Sequence, residues 1–419
     1  MTAEQFNSSN QSNGGPLEGY RVLELGNLIA APSGGKIFAE FGAEVIKVER
    51  PRTGDELRRW RLFRGDNSLL WYTLGRNKKS ITLDLGKPRG QELVLRLAEK
   101  VDVVLENFRP GTLEKWNLGP EDLRKVNPDL VVVRISGYGQ SGPYRDRPGF
   151  GGIAEALGGI RNLTGYPGLP PTRVGVSLGD TVAGLFGVIG ALMSLLHRER
   201  GRLEGRSERS GEVVDVALYE AVFGLLEGVV PEYDGYGVVR ERTGNSLPGI
   251  APSNTYRCHD ERWVVIGGNG DAIFPRLMRA VDRPDLADDP QLQDNPGRAR
   301  HEEMLDEVIE GWTSKRSLDE VMDVMVRASV PAGPIYDASD IVKDPHFEAR
   351  QMLQEHDIEV ESGHPEKVRF PGVVPRLDHH PGSLKWCGPQ LGEHNDEVYR
   401  GILGLDTPEL DALIQEGVV

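Results

Sequence analysis

Asp180 is the residue whose position most suggests chemistry. With Gly179 it stands directly before the apolar run Val182 to Leu196, which predicts a core helix. An aspartate at this place commonly caps the helix and stabilises it by about 1 kcal/mol. The position also suits a nucleophile, because a helix N-terminus stabilises negative charge and a carboxylate can attack a thioester to form a mixed anhydride. From the local sequence alone, the cap is the favoured interpretation.

Metal and ATP chemistry have no support in the sequence. There is no HExxH pattern and no P-loop, so zinc-dependent hydrolysis and phosphoryl transfer from ATP are not predicted. The nine histidines are scattered, and Cys258 and Cys387 lack the spacing of zinc ligands. We therefore predict no metal site, and we interpret the two cysteines as reduced thiols of a cytoplasmic protein.

One possible anion site follows the first predicted strand. The turn at residues 25–35 leads into a helix, where a pyrophosphate often binds, but it lacks GxGxxG, so neither a nicotinamide nor a flavin cofactor is predicted. Arg50 follows the second predicted strand, and a guanidinium there suits a phosphorylated ribose. The alternative, a surface charge that ends a strand, is favoured for Arg50 taken alone.

The elements that must position these residues alternate along the chain. Short apolar runs predict strands at 20–25, 43–48, 80–85, 101–105, 130–135 and 213–217, and helices are predicted at 30–41, 89–100 and 218–227. This βαβ pattern predicts a Rossmann-like, doubly wound α/β large domain. A strand at 262–266 and helices at 272–281, 301–313 and 318–328 predict a smaller α+β domain.

The predicted domain boundaries follow from these elements. Residues 1–16 are interpreted as a flexible leader, 17–224 and 335–419 as the large domain, and 225–334 as the small domain with its linkers. Residues 231–252 are expected to be irregular. The charged segment 197–212 is expected to be a solvated linker or hairpin.

The charge balance limits the partners. Lys and Arg number 49 against 64 Asp and Glu, for a formal net charge of −15, so a nucleic acid or an anionic membrane surface is not an expected partner. The longest apolar run has fifteen residues, which is short for a membrane span. The leader lacks an apolar core and is not interpreted as a signal peptide.

Seven stretches occur in a characteristic order along the chain: Gly42–Glu49, Arg76–Ile81, Glu106–Gly111, Ile135–Pro143, Gly179–Asp180, Val214–Leu218 and Leu391–His394. Taken together, they make the sequence similar to the class III CoA-transferases, the CaiB/BaiF family that includes formyl-CoA transferase and carnitine CoA-transferase. The resemblance covers the chain from about Leu17 to the C-terminus. It implies coenzyme A, bound as an acyl-CoA substrate, and an interlocked homodimer with the active site between chains.

The resemblance assigns a role to Asp180, which matches the catalytic aspartate of the family. It implies that Asp180 attacks the donor acyl-CoA and forms an anhydride, that the CoA thiolate returns to give an aspartyl-CoA thioester, and that an acceptor carboxylate then takes the CoA. The thioester energy stays in covalent form, so no ATP is needed.

The resemblance also implies contacts with the CoA substrate. Arg50 matches a residue at the nucleotide end of CoA, and Leu28, Leu83 and Tyr138 match positions near CoA or the acyl group. Lys115 stands where the formyl-specific enzymes have an arginine. Departures from those enzymes at three further positions argue against formyl-CoA and oxalate as the substrate pair: Ile29, Gly86 and Ser136.

Two alternatives remain open at this point. A CoA-ester racemase of the same fold would need a basic histidine, but Phe150 stands at the corresponding place and cannot accept a proton. A CoA-binding protein without transferase activity would need Asp180 to be only a helix cap.

The expected substrates are an acyl-CoA donor and a free carboxylic acid. Overall similarity favours succinyl-CoA as the donor and a dicarboxylate as the acceptor. Four arginines could pair with a distal carboxylate, or equally could be surface charges: Arg58, Arg59, Arg64 and Arg173.

Overall fold

The chain forms two compact units in the computed structural model, which describes residues 14–205, 211–358, 360 and 365–419. The first unit takes Met1–Ile160, Val174–Gly228 and Glu348–Val419, and the second takes Arg161–Arg173 and Val229–Phe347. The sequence-based boundaries differ, because they leave 161–173 in the large domain and begin its C-terminal segment at 335. Most of the proposed leader lies outside the described residues.

A six-stranded parallel sheet forms the centre of the first unit. The strands are β1 (Arg21–Glu24), β2 (Glu44–Glu49), β3 (Lys78–Thr82), β4 (Val103–Glu106), β5 (Val131–Ser136) and β6 (Val213–Ala217). They lie in the order β3-β2-β1-β4-β5-β6, the doubly wound order of nucleotide-binding folds. The predicted parallel α/β architecture is confirmed, and the strand order reverses between β1 and β4.

Both faces of this sheet are buried, as is usual for parallel strands. Alternate residues of a strand point to opposite faces, so Leu23 and Val104 enter one apolar layer whereas Val22 and Val103 enter the other. The helices of the first unit are Ala30–Glu40, Leu69–Leu74, Pro88–Ala98, Thr112–Lys115, Pro120–Val126, Gly151–Leu157, Leu178–Leu203, Leu218–Phe223 and Thr407–Gln415, with a 3-10 turn at Glu56–Arg59 and a π-helical turn at Glu397–Ile402.

Asp180 is the third residue of the long helix Leu178–Leu203, whose N-cap is Ser177. The prediction that Asp180 caps this helix is therefore wrong. The helix predicted from the apolar run begins at Val182 and so leaves out the first turn. That turn contains Gly179 and Asp180 and has no apolar periodicity.

The same helix continues beyond Leu196 into the segment predicted as a solvated linker, which corrects that prediction as far as Leu203. Arg198 stabilises the continuation, because its buried guanidinium lies 2.7 Å from an Asp102 carboxylate oxygen. Residues 206–210 of that segment lie outside the described residues.

By length and composition this helix could cross a membrane, and it is the one such helix in the part of the chain that the structure describes. However, 44% of its most apolar window is buried. Ala183, Val188, Ala191 and Leu195 pack into an apolar layer of the first unit. The helix is thus part of the core along one face and carries exposed apolar side chains along the other.

Two glycines allow the long helix to approach the helix Ala30–Glu40 closely. A Cβ on Gly184 would lie 2.7 Å from the carbonyl oxygen of Ala30, and a Cβ on Gly34 would lie 3.4 Å from the carbonyl oxygen of Gly184. Any larger residue at position 184 would push the two helices apart.

The C-terminal segment covers the edge of the sheet at β3. His394 donates its amide to the carbonyl of Ser80 at 3.0 Å, and its Nδ1 accepts from the amide of Ser80 at 3.3 Å. Asn395 accepts from the amide of Thr82 at 2.9 Å, and Tyr399 donates to the carbonyl of Thr82 at 2.7 Å. These bonds satisfy main-chain groups that an edge strand would otherwise expose.

Two short antiparallel ladders complete the strands of the first unit. They pair Phe63–Arg64 with Asn67–Ser68, and Leu353–Ile358 with Glu366–Pro371. Two helices span the points where the chain passes between units, Ile160–Leu163 and Pro345–Ala349.

The second unit has its own core of α+β type. Three antiparallel strands, Ser253–Arg257, Trp263–Gly267 and Ala332–Pro334, pack with helices around the buried Leu277 and Ile309. Its helices are Val229–Tyr236, Phe274–Ala280, Pro284–Ala287, Asn295–Ala299, Glu302–Thr313, Leu318–Arg327 and Ala338–Ile341, with a 3-10 turn at Pro290–Leu292. The first of these helices overlaps residues 231–252, which were expected to be irregular.

Candidate active site

A cleft of about 470 Å³ lies at the carboxyl edge of the sheet, beside the point where the strand order reverses. In open α/β sheets this crevice is the usual ligand site. The lining residues end β2, follow β1 to β4 or lie near the C-terminus: Leu25, Asn27, Val48, Glu49, Arg50, Pro51, Arg52, Thr53, Leu83, Asp84, Leu85, Gly86, Lys87, Phe108, Trp116 and Gly417. Arg50 and Leu83, both predicted to contact the substrate, are among them.

Three cations make one part of this cleft suitable for phosphates: Arg50, Arg52 and Lys87. The Arg50 side chain is 69% exposed, and one of its guanidinium nitrogens lies 3.5 Å from a Glu56 carboxylate oxygen. Lys87 donates to the carbonyls of Glu416 at 2.5 Å and Gly417 at 3.0 Å, which ties it to the C-terminus. The sequence-based reasoning missed Arg52 and Lys87, although Arg52 lies two residues after Arg50 and Lys87 directly follows Gly86.

Two aromatic rings form another wall of the cleft. Phe108 and Trp116 meet edge to face, with ring centroids 5.4 Å apart. The loop that carries Phe108 is fixed because its amide donates to Glu106 Oε2 at 2.6 Å. Lys115, the predicted neighbour of CoA, is exposed and does not line the cleft, whereas the adjacent Trp116 does.

Asp180 lies near the same edge of the sheet. Its half-buried carboxylate packs against Gly151, where a Cβ would come within 2.1 Å of Asp180 Oδ2. Beneath it, the buried Glu155 accepts from the amide of Gly179 at 3.5 Å. The first turn of the helix places a partial positive charge at this carboxylate, which stabilises its ionised form.

The turn after β1 connects the cleft to Asp180. Asn27 lines the cleft, and Ala30, at the start of the next helix, contacts Gly184. Because Gly184 is four residues after Asp180, both share one face of the long helix. Leu28, predicted near CoA or the acyl group, lies within this turn.

Tyr138 and Asp180 contact opposite ends of the same short segment, Gly149 to Gly151. The Tyr138 ring lies 6.4 Å from that of Tyr219, and a Cβ on Gly149 would lie 3.2 Å from Tyr138 Cε2. Two residues later, Gly151 touches Asp180. Phe150, between them, is 70% exposed. The loop after β5 and the nucleophile candidate therefore contact the same three-residue segment.

Two buried polar atoms at the end of β5 and in the loop after it have no hydrogen-bond partner among the described residues, Ser136 Oγ and Gln140 Nε2. Buried donors are normally paired, so these two atoms are exceptions in the part of the chain that the structure describes. Ser136 was noted only as a departure from formyl-specific enzymes, and Gln140 only as part of the stretch Ile135–Pro143.

The structure removes Arg58 from the candidates for binding a substrate carboxylate. All of its N–H groups are used: it forms two 2.7 Å bonds to Glu49 and further bonds to Asn67, Ser80 and Pro389. The prediction that Arg58 could bind substrate is wrong, because a buried guanidinium needs all these partners itself.

The other three arginines have different settings. Arg59 donates to the carbonyl of Thr53, and Arg64 lies 3.2 Å from Glu366. Arg173 is exposed in the second unit. No group of three His, Cys, Asp or Glu side chains that could hold a metal occurs among the residues that the structure describes.

Residues Gly175–Gly179 have the G-x-S-x-G spacing of serine hydrolases, which the sequence-based reasoning overlooked. A nucleophile elbow requires a strand directly before the serine. Here Ser177 is the N-cap of a helix, and the preceding residues 164–177 form no strand. The spacing therefore does not create a hydrolase site.

Comparisons with known proteins identify the family. The family model described as CoA-transferase family III matches residues 17–395. The chain is 48% identical over 406 residues to succinyl-CoA--D-citramalate CoA-transferase of Chloroflexus aurantiacus, covering 96% of this chain and 98% of that protein. It is 42% identical over 408 residues to the beta subunit of succinyl-CoA--L-malate CoA-transferase of the same organism, covering 96% and 98%.

A solved structure shares the fold. The crystal structure of a CaiB/BaiF family protein from Brucella suis aligns with a TM-score of 0.79 and 32% identity, over 93% of this chain and 99% of that one. Sequence and structure therefore lead to one assignment: the chain belongs to CoA-transferase family III.

Proposed function

We propose that this protein transfers CoA from succinyl-CoA to a second dicarboxylic acid, of the citramalate or malate kind, with Asp180 carrying the covalent intermediates. The names of the two Chloroflexus relatives support the substrates. The position of Asp180 carries the proposal: a carboxylate in the first turn of a helix, packed on a glycine at the carboxyl edge of the sheet.

The reaction needs no proton and no outside energy source. A carboxylate oxygen of Asp180 attacks the thioester carbonyl of succinyl-CoA, the C–S bond breaks, and a mixed anhydride and CoA thiolate form. The thiolate attacks the aspartyl carbonyl of the anhydride, so succinate leaves and an aspartyl-CoA thioester remains.

The second half reverses these steps with the acceptor. An oxygen of the acceptor carboxylate attacks the aspartyl thioester and releases the thiolate, which leaves a second anhydride. The thiolate then attacks the acceptor carbonyl of this anhydride, and the aspartate departs as a free carboxylate. One oxygen of the acceptor stays on Asp180, because the bridging oxygen of the anhydride leaves with the aspartate.

The cleft supplies binding energy for the CoA nucleotide. Arg50, Arg52 and Lys87 would pair with its phosphates, and Phe108 and Trp116 offer apolar surface to its base. These contacts lie away from the reacting carbonyl, so they hold donor and acceptor CoA esters equally while the acyl group changes.

We further propose that the active form contains two interlocked copies of the chain in the cytoplasm. The long helix exposes a stripe of apolar side chains that a second copy would cover: Leu185, Phe186, Ile189, Leu192, Met193 and Leu196. Cys258 and Cys387 are both free thiols, as is usual in a reducing compartment.

The first experiment compares Asp180→Asn with a matched control. Asp319→Asn removes another acid from the first turn of a helix, where the side chain is 94% exposed. Each purified protein receives succinyl-CoA and a panel of carboxylic acids, and new CoA esters are followed by mass spectrometry. We expect exchange in the native protein and in Asp319→Asn, and none in Asp180→Asn. Full exchange by Asp180→Asn would overturn the proposal.

A labelling experiment tests the covalent route itself. The acceptor acid is supplied with heavy oxygen in its carboxylate, and the peptide containing Asp180 is isolated during turnover and weighed. We expect one heavy oxygen atom on Asp180 after a single turnover and up to two after repeated turnovers, because each cycle replaces one carboxylate oxygen with one from the acceptor. An unlabelled peptide during active exchange would show that CoA moves without the aspartyl anhydride.

A further inference from the structure

The turn between β1 and the first helix is held at three successive residues by side chains from three separate segments. Lys47, on β2, donates to the carbonyl of Gly26. Asn107, after β4, binds both main-chain groups of Asn27 at 2.8 Å. The carboxylate of Asp55 accepts from the amide of Leu28 at 3.1 and 3.2 Å.

Leu28 has a backbone conformation that a leucine rarely adopts. Its φ is +65°, in the left-handed region, where a side chain crowds the backbone. Such a conformation persists only where surrounding groups force it, and it concentrates at functional sites. Here the Leu28 amide donates to Asp55, so the carboxylate of Asp55 is the group bonded to the main chain at the strained residue.

Asp55 is itself held by a buried charge network. Lys47 lies 2.9 Å from Asp55 and 3.4 Å from Glu24, and Lys78 lies 2.7 Å from Glu24, with all four side chains almost fully buried. Burial alone would raise the pKa of Asp55, but Lys47 and the amides of Leu57 and Leu28 outweigh it and lower that pKa. Asp55 therefore stays an anion and a strong acceptor.

The turn after β1 lies between the cleft and the helix that carries Asp180. Asn27 faces the cleft, and Ala30 contacts the long helix one turn beyond Asp180. A shift in Leu28 would move the backbone that lies between the nucleotide cleft and the nucleophile.

We propose that Asp55 is a positioning residue for CoA transfer: together with Lys47, it holds Leu28 in its left-handed conformation and so fixes the turn that aligns the acyl thioester with Asp180. The inference rests on the proposed function of Asp180. In this role, Asp55 contacts neither CoA nor the acyl group and acts only through Leu28.

The main test uses Asp55→Asn, which keeps the size of the side chain and one carbonyl oxygen but loses the charge. We expect kcat for CoA exchange to fall about tenfold, since small misplacements of reacting groups are costly. The dissociation constant of CoA itself should stay unchanged, because the phosphates bind elsewhere in the cleft. Glu40→Gln is the matched control: it neutralises another buried acid, paired with Arg76, and should leave kcat unchanged.

A rescue experiment separates positioning from general stability. Glycine adopts a positive φ without strain, so a Leu28→Gly background no longer needs Asp55 to force the turn. The ratio of kcat between the Asp55→Asn variant and its parent is measured in both backgrounds. We expect a tenfold loss with Leu28 and less than threefold loss with Leu28→Gly. Equal losses in the two backgrounds would overturn the proposal.

Hydrogen exchange on the native protein tests the proposal even if Asp55→Asn fails to fold. The peptide containing residues 26–29 should exchange slowly without any ligand, because the turn is already formed. Fast exchange that slows only with CoA would contradict the proposal. If Asp180→Asn is inactive while Asp55→Asn has native kcat, only this inference fails; if Asp180→Asn is active, the proposed function fails first.

Discussion

Gly151→Ala tests the contact that fixes the nucleophile. The added Cβ would lie 2.1 Å from Asp180 Oδ2 and 2.6 Å from Cγ, whereas ordinary contact begins near 3.4 Å. The carboxylate must therefore move by about 1 Å, because a methyl group cannot share its space. A displacement of about 1 Å in a reacting group costs on the order of 100-fold in rate. We expect kcat to fall by about this factor.

Stability should respond differently to the same change. The carboxylate is the end of a rotatable side chain, so it can swing away at a cost of about 1 kcal/mol. Alanine also favours a helix over glycine, by about 1 kcal/mol in a helix interior and by less at position 151, which is the first residue of the helix Gly151–Leu157. The free energy of unfolding should thus stay near the native value while the activity collapses.

The assay pairs initial rates of CoA exchange with urea unfolding for native protein, Gly151→Ala and Gly201→Ala. Gly201 is a good control because it also lies in a helix and a Cβ there would meet nothing within 4 Å. The reasoning fails if Gly151→Ala keeps more than about a third of the native kcat. It also fails if Gly201→Ala loses as much activity.

Four further outcomes are expected. Lys87→Ala should raise the KM for succinyl-CoA about tenfold without changing kcat, because one charge-assisted hydrogen bond is lost. The KM for succinyl-pantetheine, which lacks the nucleotide, should not change. Gly184→Ala should lower the free energy of unfolding in urea by about 1–3 kcal/mol, because its Cβ would meet the backbone of the neighbouring helix. Burial would raise the pKa of Glu44, but Lys79 and Arg21 outweigh it and lower that pKa, so ionised Glu44 stabilises the fold above about pH 4.5 and this contribution is lost as the pH falls further. Glu44→Gln should remove this part of the acid dependence of unfolding. Met193→Glu should convert a dimer to a monomer in sedimentation, because it places a charge in the exposed apolar stripe, and an unchanged sedimentation coefficient would exclude that face from the interface.

The parallel sheet could be predicted from the sequence because its strands are buried on both faces. Such strands are short apolar, β-branched runs, as in 130–135, and they stand out beside charged helices. The predicted ends of strands and helices were less accurate than their positions, because neighbouring residues rather than periodicity decide where an element stops. The long helix shows this clearly: its charged end is helical only because Arg198 finds Asp102.

The site was only partly predictable for a similar reason. Asp180 and Arg50 stand at strand or helix ends, where a pattern can identify them. The sequence could not show that Arg58 is occupied by an ion pair. Its partner Glu49 is nine residues away, and the two side chains come together only because the loop between them folds back. The contact between Gly151 and Asp180 likewise joins two elements that share no local pattern.

The covering of β3 by the C-terminal segment has a consequence for synthesis. A ribosome completes all six strands of the sheet long before it reaches His394, Asn395 and Tyr399, so the nascent sheet keeps this edge open until those residues have been made. Exposed edges pair with other chains, and long-range contacts form slowly. We therefore expect chains truncated before residue 394 to aggregate more readily than the native protein.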